Sequence, residues 1–231
     1  MSELTDRRLE EKERRRVEIL DAAEAVALVV GVEALTMELV ARKARLSRAL
    51  LYVYFHDKSA LLLALCVRAL EALHARFESA AAGHALGMAQ VEACGRAYVA
   101  FAEEFPARFE ALAHVEAQHP GGDLDPAYEH FLAAGDRTHG AICAAIERGM
   151  QDGSIRKEAG PPSLIGLTLW GLMHGLIQLS ITKSASLARE GVGREQLIGQ
   201  GFRLATAALA TPEGAAALAG IGPADDGKGA R

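Results

Sequence analysis

Hydroxyl groups and cations crowd one short stretch of this 231-residue chain. Between positions 36 and 58 stand Thr36, Ser47, Tyr52 and Tyr54, with Arg42, Lys43, Arg45, Arg48 and Lys58. Only Glu38 and Asp57 oppose those cations, so the segment is net +3. Hydroxyls and guanidinium groups donate to phosphate oxygens, and cations displace counterions from a nucleic-acid backbone. An outward Leu50 could meet a thymine methyl. This chemistry suits duplex DNA. The rest of the chain has the opposite balance. Residues 61–231 hold 14 Lys and Arg against 19 Asp and Glu, and the whole chain is net −5. A non-specific nucleic-acid coat is thereby excluded, while a small basic segment on an acidic body fits a site-specific binder.

Other chemistries find little support. Glu71 and His74, and Glu116 and His119, have the Glu-x-x-His spacing of di-iron helical bundles. With 8 His and 21 Glu in the chain, two such pairs are unremarkable. No Gly-x-Ser-x-Gly motif or phosphate loop occurs. No catalysis, metal or cofactor is therefore expected. Cys66, Cys94 and Cys143 are too few and too scattered for a disulfide framework, which fits a reducing, cytoplasmic compartment. The first 16 residues are charged and lack the apolar run of a secretory signal. Residues 164–181 are apolar, but Gly166, Gly171, His174 and Gln178 interrupt them. They are expected to form a buried helix, with no membrane partner.

The elements that must position the basic segment are helical. Period-two runs of β-branched residues are missing, and Ala, Leu, Glu and Arg dominate. The pattern predicts an all-α chain of about nine helices. The first spans about Asp6 to Val30, with Ile19, Ala23, Val26 and Val30 on one stripe and Gly31 closing it. Thr36 caps a second helix, Arg45-Leu46 makes a turn, and Ser47 caps a third helix reaching about Tyr54. Ala41 and Ala44 let the two short helices cross closely, and Leu46 plugs the space between them. Leu51 and Phe55 point inward. Ser47, Arg48, Ala49, Leu50, Tyr52, Val53 and Tyr54 are left on the outer side. A long fourth helix is expected over Lys58–Ala82. Two further long apolar helices are expected at about Pro162–Arg189 and Gly193–Ala210. From residue 212 the Gly- and Pro-rich tail is expected to be unstructured.

The segment TMELVARKARLSRALLYVYFHDKSALL resembles the DNA-binding signature of the TetR family of bacterial transcriptional regulators. Thr36, Met37, Ala41, Ala44, Ser47, Leu51, Tyr52, Phe55, Lys58, Leu61 and Leu62 match it outright, and Val40 and Leu46 are conservative replacements. Three departures stand out. Arg45 replaces a turn glycine, Ala49 a common glycine and Leu50 a common threonine. The resemblance covers about residues 10–65. It implies a three-helix helix-turn-helix domain over 1–60, with the motif at about 36–55. A helical ligand-binding and dimerisation domain would follow over 61–211.

Carried over by match, Thr36, Tyr52 and Lys58 would hold phosphates, and Arg48, Ala49, Leu50 and Tyr54 would face the groove. Ser47 caps the reading helix, and Arg45 adds a cation beside it. Packing against the first helix is the alternative for Tyr52, and a solvated amine is the alternative for Lys58. Arg45 is also the one feature that would suit a helical protein without DNA binding.

In the body, Leu169–Leu176, containing Trp170, His174 and Gly175, resembles a regulatory subgroup with a Trp-His-Gly signature. Gly149-x-x-x-Gly153-x-x-Arg156 resembles the family's ending of the seventh helix. The resemblance implies a palindromic operator as DNA partner, a homodimer, and a small, largely hydrophobic effector. Phe101, Phe105, Phe109, His114, Tyr128, Trp170 and His174 are the candidate effector contacts. Gly171 and Gly175, at i and i+4, are the candidate close-approach points of the dimer. Ligand-responsive repression of transcription is the function expected.

Overall fold

The computed structural model describes residues 2–118 and 126–219. Among them there is no strand, only an isolated bridge between Ile155 and Ala210. Eleven helices follow in order: α1 (Ser2–Ala34), α2 (Met37–Lys43), α3 (Arg48–Tyr54), α4 (Lys58–Ala82), α5 (Gly87–Glu104), α6 (Pro106–Gln118), α7 (Pro126–Asp152), α8 (Pro162–Thr182), α9 (Ser184–Arg189), α10 (Arg194–Leu209) and α11 (Pro212–Ala219). Packing divides the chain into two units. Met1–Ala72 and Phe101–Gly135 form the first, and Leu73–Ala100 with Asp136–Arg231 the second.

In the first unit, α1 packs against α2 and α6. Ile19, Ala23 and Val26 are buried as their spacing predicts, whereas Val30, expected on the same stripe, is exposed. Gly31 (φ 80°) breaks the helical geometry of α1, and the chain resumes a short helical run to Ala34. The breaking residue is the one expected; the helix continues beyond it. Just after the break, the Val32 N–H donates to a Glu110 carboxylate oxygen on α6 at 3.1 Å. Further up α1, Glu24 takes a two-pronged ion pair from Arg108 of α6 at 2.9 and 3.0 Å. Arg68 of α4 reaches Asp21 at 2.7 Å and Glu24 at 3.3 Å. Leu51, Phe55 and Leu61 close the apolar centre of this unit, and Arg16 lies over the Phe55 ring.

The second unit has its own core, built from Met88, Val91, Ala145, Ile146, Ile155, Ile165 and Leu209. The Gly-x-x-x-Gly-x-x-Arg ending of α7 acquires a physical meaning there. A Cβ on Gly87 would collide with the Gly149 backbone, so α5 and α7 touch main chain to main chain. Gly153 (φ 82°) reverses the chain after α7. Arg156 then donates to the carbonyls of Ala210 (3.0 Å) and Ala207 (2.6 Å), a cation at the carboxyl end of α10.

Two expectations change. The helix expected to run from Pro162 to Arg189 is two helices, divided at Lys183 (φ −119°, ψ 21°). Near that end, the Ser180 and Thr182 hydroxyls donate to the Ile177 and Gln178 carbonyls, a competition that weakens helical continuation. The tail expected to be unstructured from residue 212 begins with α11. Thr211 caps it by accepting from the Gly214 N–H at 3.1 Å, and Pro212 takes the first helical position. Residues 220–231 lie outside the described residues. These two additional short helices, α9 and α11, raise the expected nine to eleven.

One helix among the described residues, α8, is long and apolar enough to cross a membrane. It is not the buried helix expected. Ile165, Met173 and Ile177 are buried, while Leu164, Leu167, Leu179 and Ile181 are exposed.

Candidate nucleic-acid interface

The site is built from two short helices held by local hydrogen bonds. The Thr36 hydroxyl accepts from the Leu39 N–H at 3.3 Å, and the Ser47 hydroxyl accepts from the Leu50 N–H at 3.2 Å. Both caps are those the residue types predict. The turn between them is closed by two backbone bonds. Arg45 N–H donates to Arg42 O, and Leu46 N–H donates to Ala41 O. This pairing requires a left-handed residue after the helix, usually glycine. Arg45 occupies it with φ 56°, the one positive-φ residue other than glycine among the described residues. Arg45 therefore carries the cost of an L-residue in the left-handed region.

Ala41 is buried and Ala44 and Leu46 are partly buried, which lets α2 and α3 cross. Leu51 and Phe55 anchor α3 inward. On the outer side, Arg48 and Ala49 are exposed, Leu50 is 39% exposed, Tyr52 42% and Val53 73%. Tyr54 is only partly exposed. Lys58 is not simply solvated: its ammonium donates to the Glu33 carbonyl at 2.7 Å, tying the start of α4 to the end of α1. An ammonium has three donors, so two remain for an anion. Thr36, Arg42, Lys43, Arg45 and Ser47 are exposed.

The candidate effector contacts are scattered between the units. Phe101 and Phe109 are wholly buried in the first unit, and Phe105 lies 5.5 Å from Phe101 and beneath Arg108. His114 and Tyr128 are partly buried, with Tyr128 beside Phe131. In the second unit, Trp170 and His174 come together around a residue outside the expected contact set, Tyr98. The Trp170 N–H donates to the Tyr98 oxygen at 3.2 Å. The Tyr98 hydroxyl and His174 Nδ1 share a hydrogen bond at 2.8 Å, whose direction follows the tautomer of the ring. Burial pushes the His174 pKa down. No spacing rule could have assigned Tyr98 this role, because its partners lie 72 and 76 residues away.

Gly171 and Gly175 have no close neighbour among the described residues. A Cβ at either position would meet nothing within 4 Å. The close approach of α10 to α8 occurs instead at Gly201, where a Cβ would strike Leu176. The di-iron spacing is not realised at His74, whose Nε2 lies 3.5 Å from Glu78. The side chain of Glu116, and all of His119, lie outside the described residues. Among the described residues, no group of three or more His, Cys, Asp and Glu could hold a metal.

Comparison with known proteins places this geometry. Residues 19–65 match the bacterial regulatory proteins of the tetR family, and residues 91–194 match the tetracyclin repressor-like C-terminal domain. The chain belongs to the TetR family of DNA-binding transcription regulators; it is not an enzyme.

Solved structures share its fold. The TetR family transcriptional regulator PfmR from Thermus thermophilus is 24% identical, with a TM-score of 0.57 over 69% of this chain and 84% of that one. The ketosteroid transcriptional regulator KstR2 of Mycobacterium tuberculosis is 18% identical, with a TM-score of 0.62 over 85% and 95%. The SmeT–triclosan complex is 20% identical, with a TM-score of 0.58 over 86% and 93%. No curated protein matches the chain significantly.

Proposed function

We propose that this chain is a cytoplasmic repressor that binds a palindromic operator as a homodimer and leaves it when a small, largely hydrophobic effector binds. The observation that carries the DNA half is the outer side of α3, exposed and apolar at its centre and flanked by Arg42, Lys43, Arg45 and Arg48. Two such helices in a dimer, about 34–36 Å apart, would enter successive major grooves. Thr36, Tyr52 and Lys58 hold phosphates, and Arg48, Ala49, Leu50 and Tyr54 face the bases.

The dimer reading is supported by the exposed apolar side of α8, with Leu164, Leu167, Trp170, Leu179 and Ile181, and by Leu204 of α10. Gly171 and Gly175 sit on α8 with open space above them, which gives a partner helix room to approach. The effector reading is supported by the hydrogen-bonded group of buried Tyr98, partly buried His174 and exposed Trp170, which joins aromatic surface to a few polar atoms. It is supported also by the small apolar molecule in the SmeT–triclosan complex.

Release works only if the effector binds the DNA-free form more tightly than the bound form. Helix α4 begins at Lys58 beside the headpiece and contributes residues to both packing units, so it is the candidate lever. The test is selection of bound fragments from genomic DNA, followed by a screen for compounds that dissociate them. Enrichment of a palindromic site, and its loss with an apolar compound, is the expected result. Failure to enrich any site at low and moderate salt would remove the reading.

A further inference from the structure

Building on the DNA-binding reading above, we infer that this chain reads its half-site chiefly through thymine methyl groups, with Val53, Leu50 and Ala49 as the reading side chains. The argument begins with helix geometry. Leu51 is fully buried and fixes the inward direction of α3. At 3.6 residues per turn, Ala49 and Val53 lie opposite it, with Leu50 and Tyr52 on either flank. Val53, not Leu50, is the most exposed large apolar residue on the helix.

The side chains of α3 rule out most other base contacts. The segment Arg48–Tyr54 contains no Asn, Gln, Asp or Glu. It therefore cannot pair bidentately with adenine and has no carboxylate to accept from cytosine N4, which leaves single hydrogen bonds from the tyrosine hydroxyls. Arg48 alone can fork onto a guanine, and it stands to one side of the apolar centre. The one apolar group that a major groove offers is the thymine C5-methyl. Ala49 to Val53 spans about 6 Å along the helix, roughly two base steps. The methyls read by one helix therefore lie within two or three consecutive base pairs. The local charge makes the occupant duplex DNA: Arg42, Lys43, Arg45 and Arg48 are exposed and Lys58 partly so, within one segment that holds only Glu38 and Asp57 against them.

The test uses the full chain and a randomised duplex library. The enriched duplex is then resynthesised with single replacements of thymine by uracil, by cytosine or by 5-methylcytosine, and affinities are compared at one salt concentration. Uracil should cost about fourfold at each of two or three adjacent positions per half-site and nothing elsewhere. At those positions 5-methylcytosine should retain most of the affinity that cytosine loses. In Val53→Ala and Leu50→Ala, the uracil penalty should vanish at one position each. Equal binding of the uracil duplexes, or a 5-methylcytosine loss as large as the cytosine loss, overturns the inference and leaves DNA binding intact. A library that yields no enriched sequence overturns both.

Discussion

Glu110 on α6 accepts a hydrogen bond from the backbone of Val32 on α1, across 78 residues of sequence and just past the break at Gly31. With the Arg108–Glu24 pair two positions earlier on α6, it fastens that helix to α1 at two heights. Glu24 also meets Arg68, so one carboxylate gathers α4 and α6 onto α1. Glu24→Gln should therefore lower unfolding free energy by about 1–3 kcal/mol, because two arginines lose their charged acceptor. Urea denaturation followed by circular dichroism measures it. A loss no larger than for Glu18→Gln, an exposed site, would show that the pair adds nothing.

Arg45→Gly separates strain from contact. A left-handed conformation costs an L-residue about 1–2 kcal/mol. Glycine removes that cost but adds about 0.5–1 kcal/mol of unfolded-state entropy. The net expectation is a gain of about 0.5 kcal/mol in stability. DNA affinity should fall at the same time, with the salt slope shallower by about one phosphate contact. Unchanged affinity and slope would show that Arg45 has no part in DNA binding.

Tyr52→Phe should weaken operator and random DNA by similar factors, since a phosphate contact carries no sequence information. Competitive titration of the two duplexes distinguishes this from base reading. A loss confined to the operator would place Tyr52 among the base contacts instead.

Gly171→Leu should abolish the dimer while leaving the protomer folded. Glycine within a helix costs about 0.5–1 kcal/mol relative to alanine, and no contact among the described residues explains its presence at 171. Sedimentation reads the association state and circular dichroism the helix content. A full dimer in this variant would move the interface elsewhere.

Acid should destabilise the second unit through His174. Its folded-state pKa is depressed by burial, so the unfolded chain takes the proton first as the pH falls below about 6.5. Stability present above that value is lost on the acid side. His174→Gln should flatten this limb of the pH–stability curve. An unchanged curve would show that His174 titrates alike in both states.

Much of the headpiece is legible in the sequence because its signals are local. Thr36 and Ser47 bond three residues ahead, and Leu51 and Phe55 lie one turn apart. Thr211-Pro212-Glu213 carries the same kind of start signal for α11, hidden by the Gly and Pro content around it. What the sequence cannot display is partnership over distance. Tyr98 joins Trp170 and His174, and Arg108 joins Glu24, through packing that no spacing encodes. Gly171 and Gly175 illustrate the converse. Their small size is legible, but among the described residues nothing occupies the space they leave.

The bare backbone crossing of Gly87 and Gly149 limits how the second unit can rearrange. Two main chains pressed together with no side chain between them cannot translate past one another without parting. Any adjustment of α5 against α7 is consequently a swivel about that point. Atoms near it stay still, and those at the far ends of both helices sweep the largest arcs.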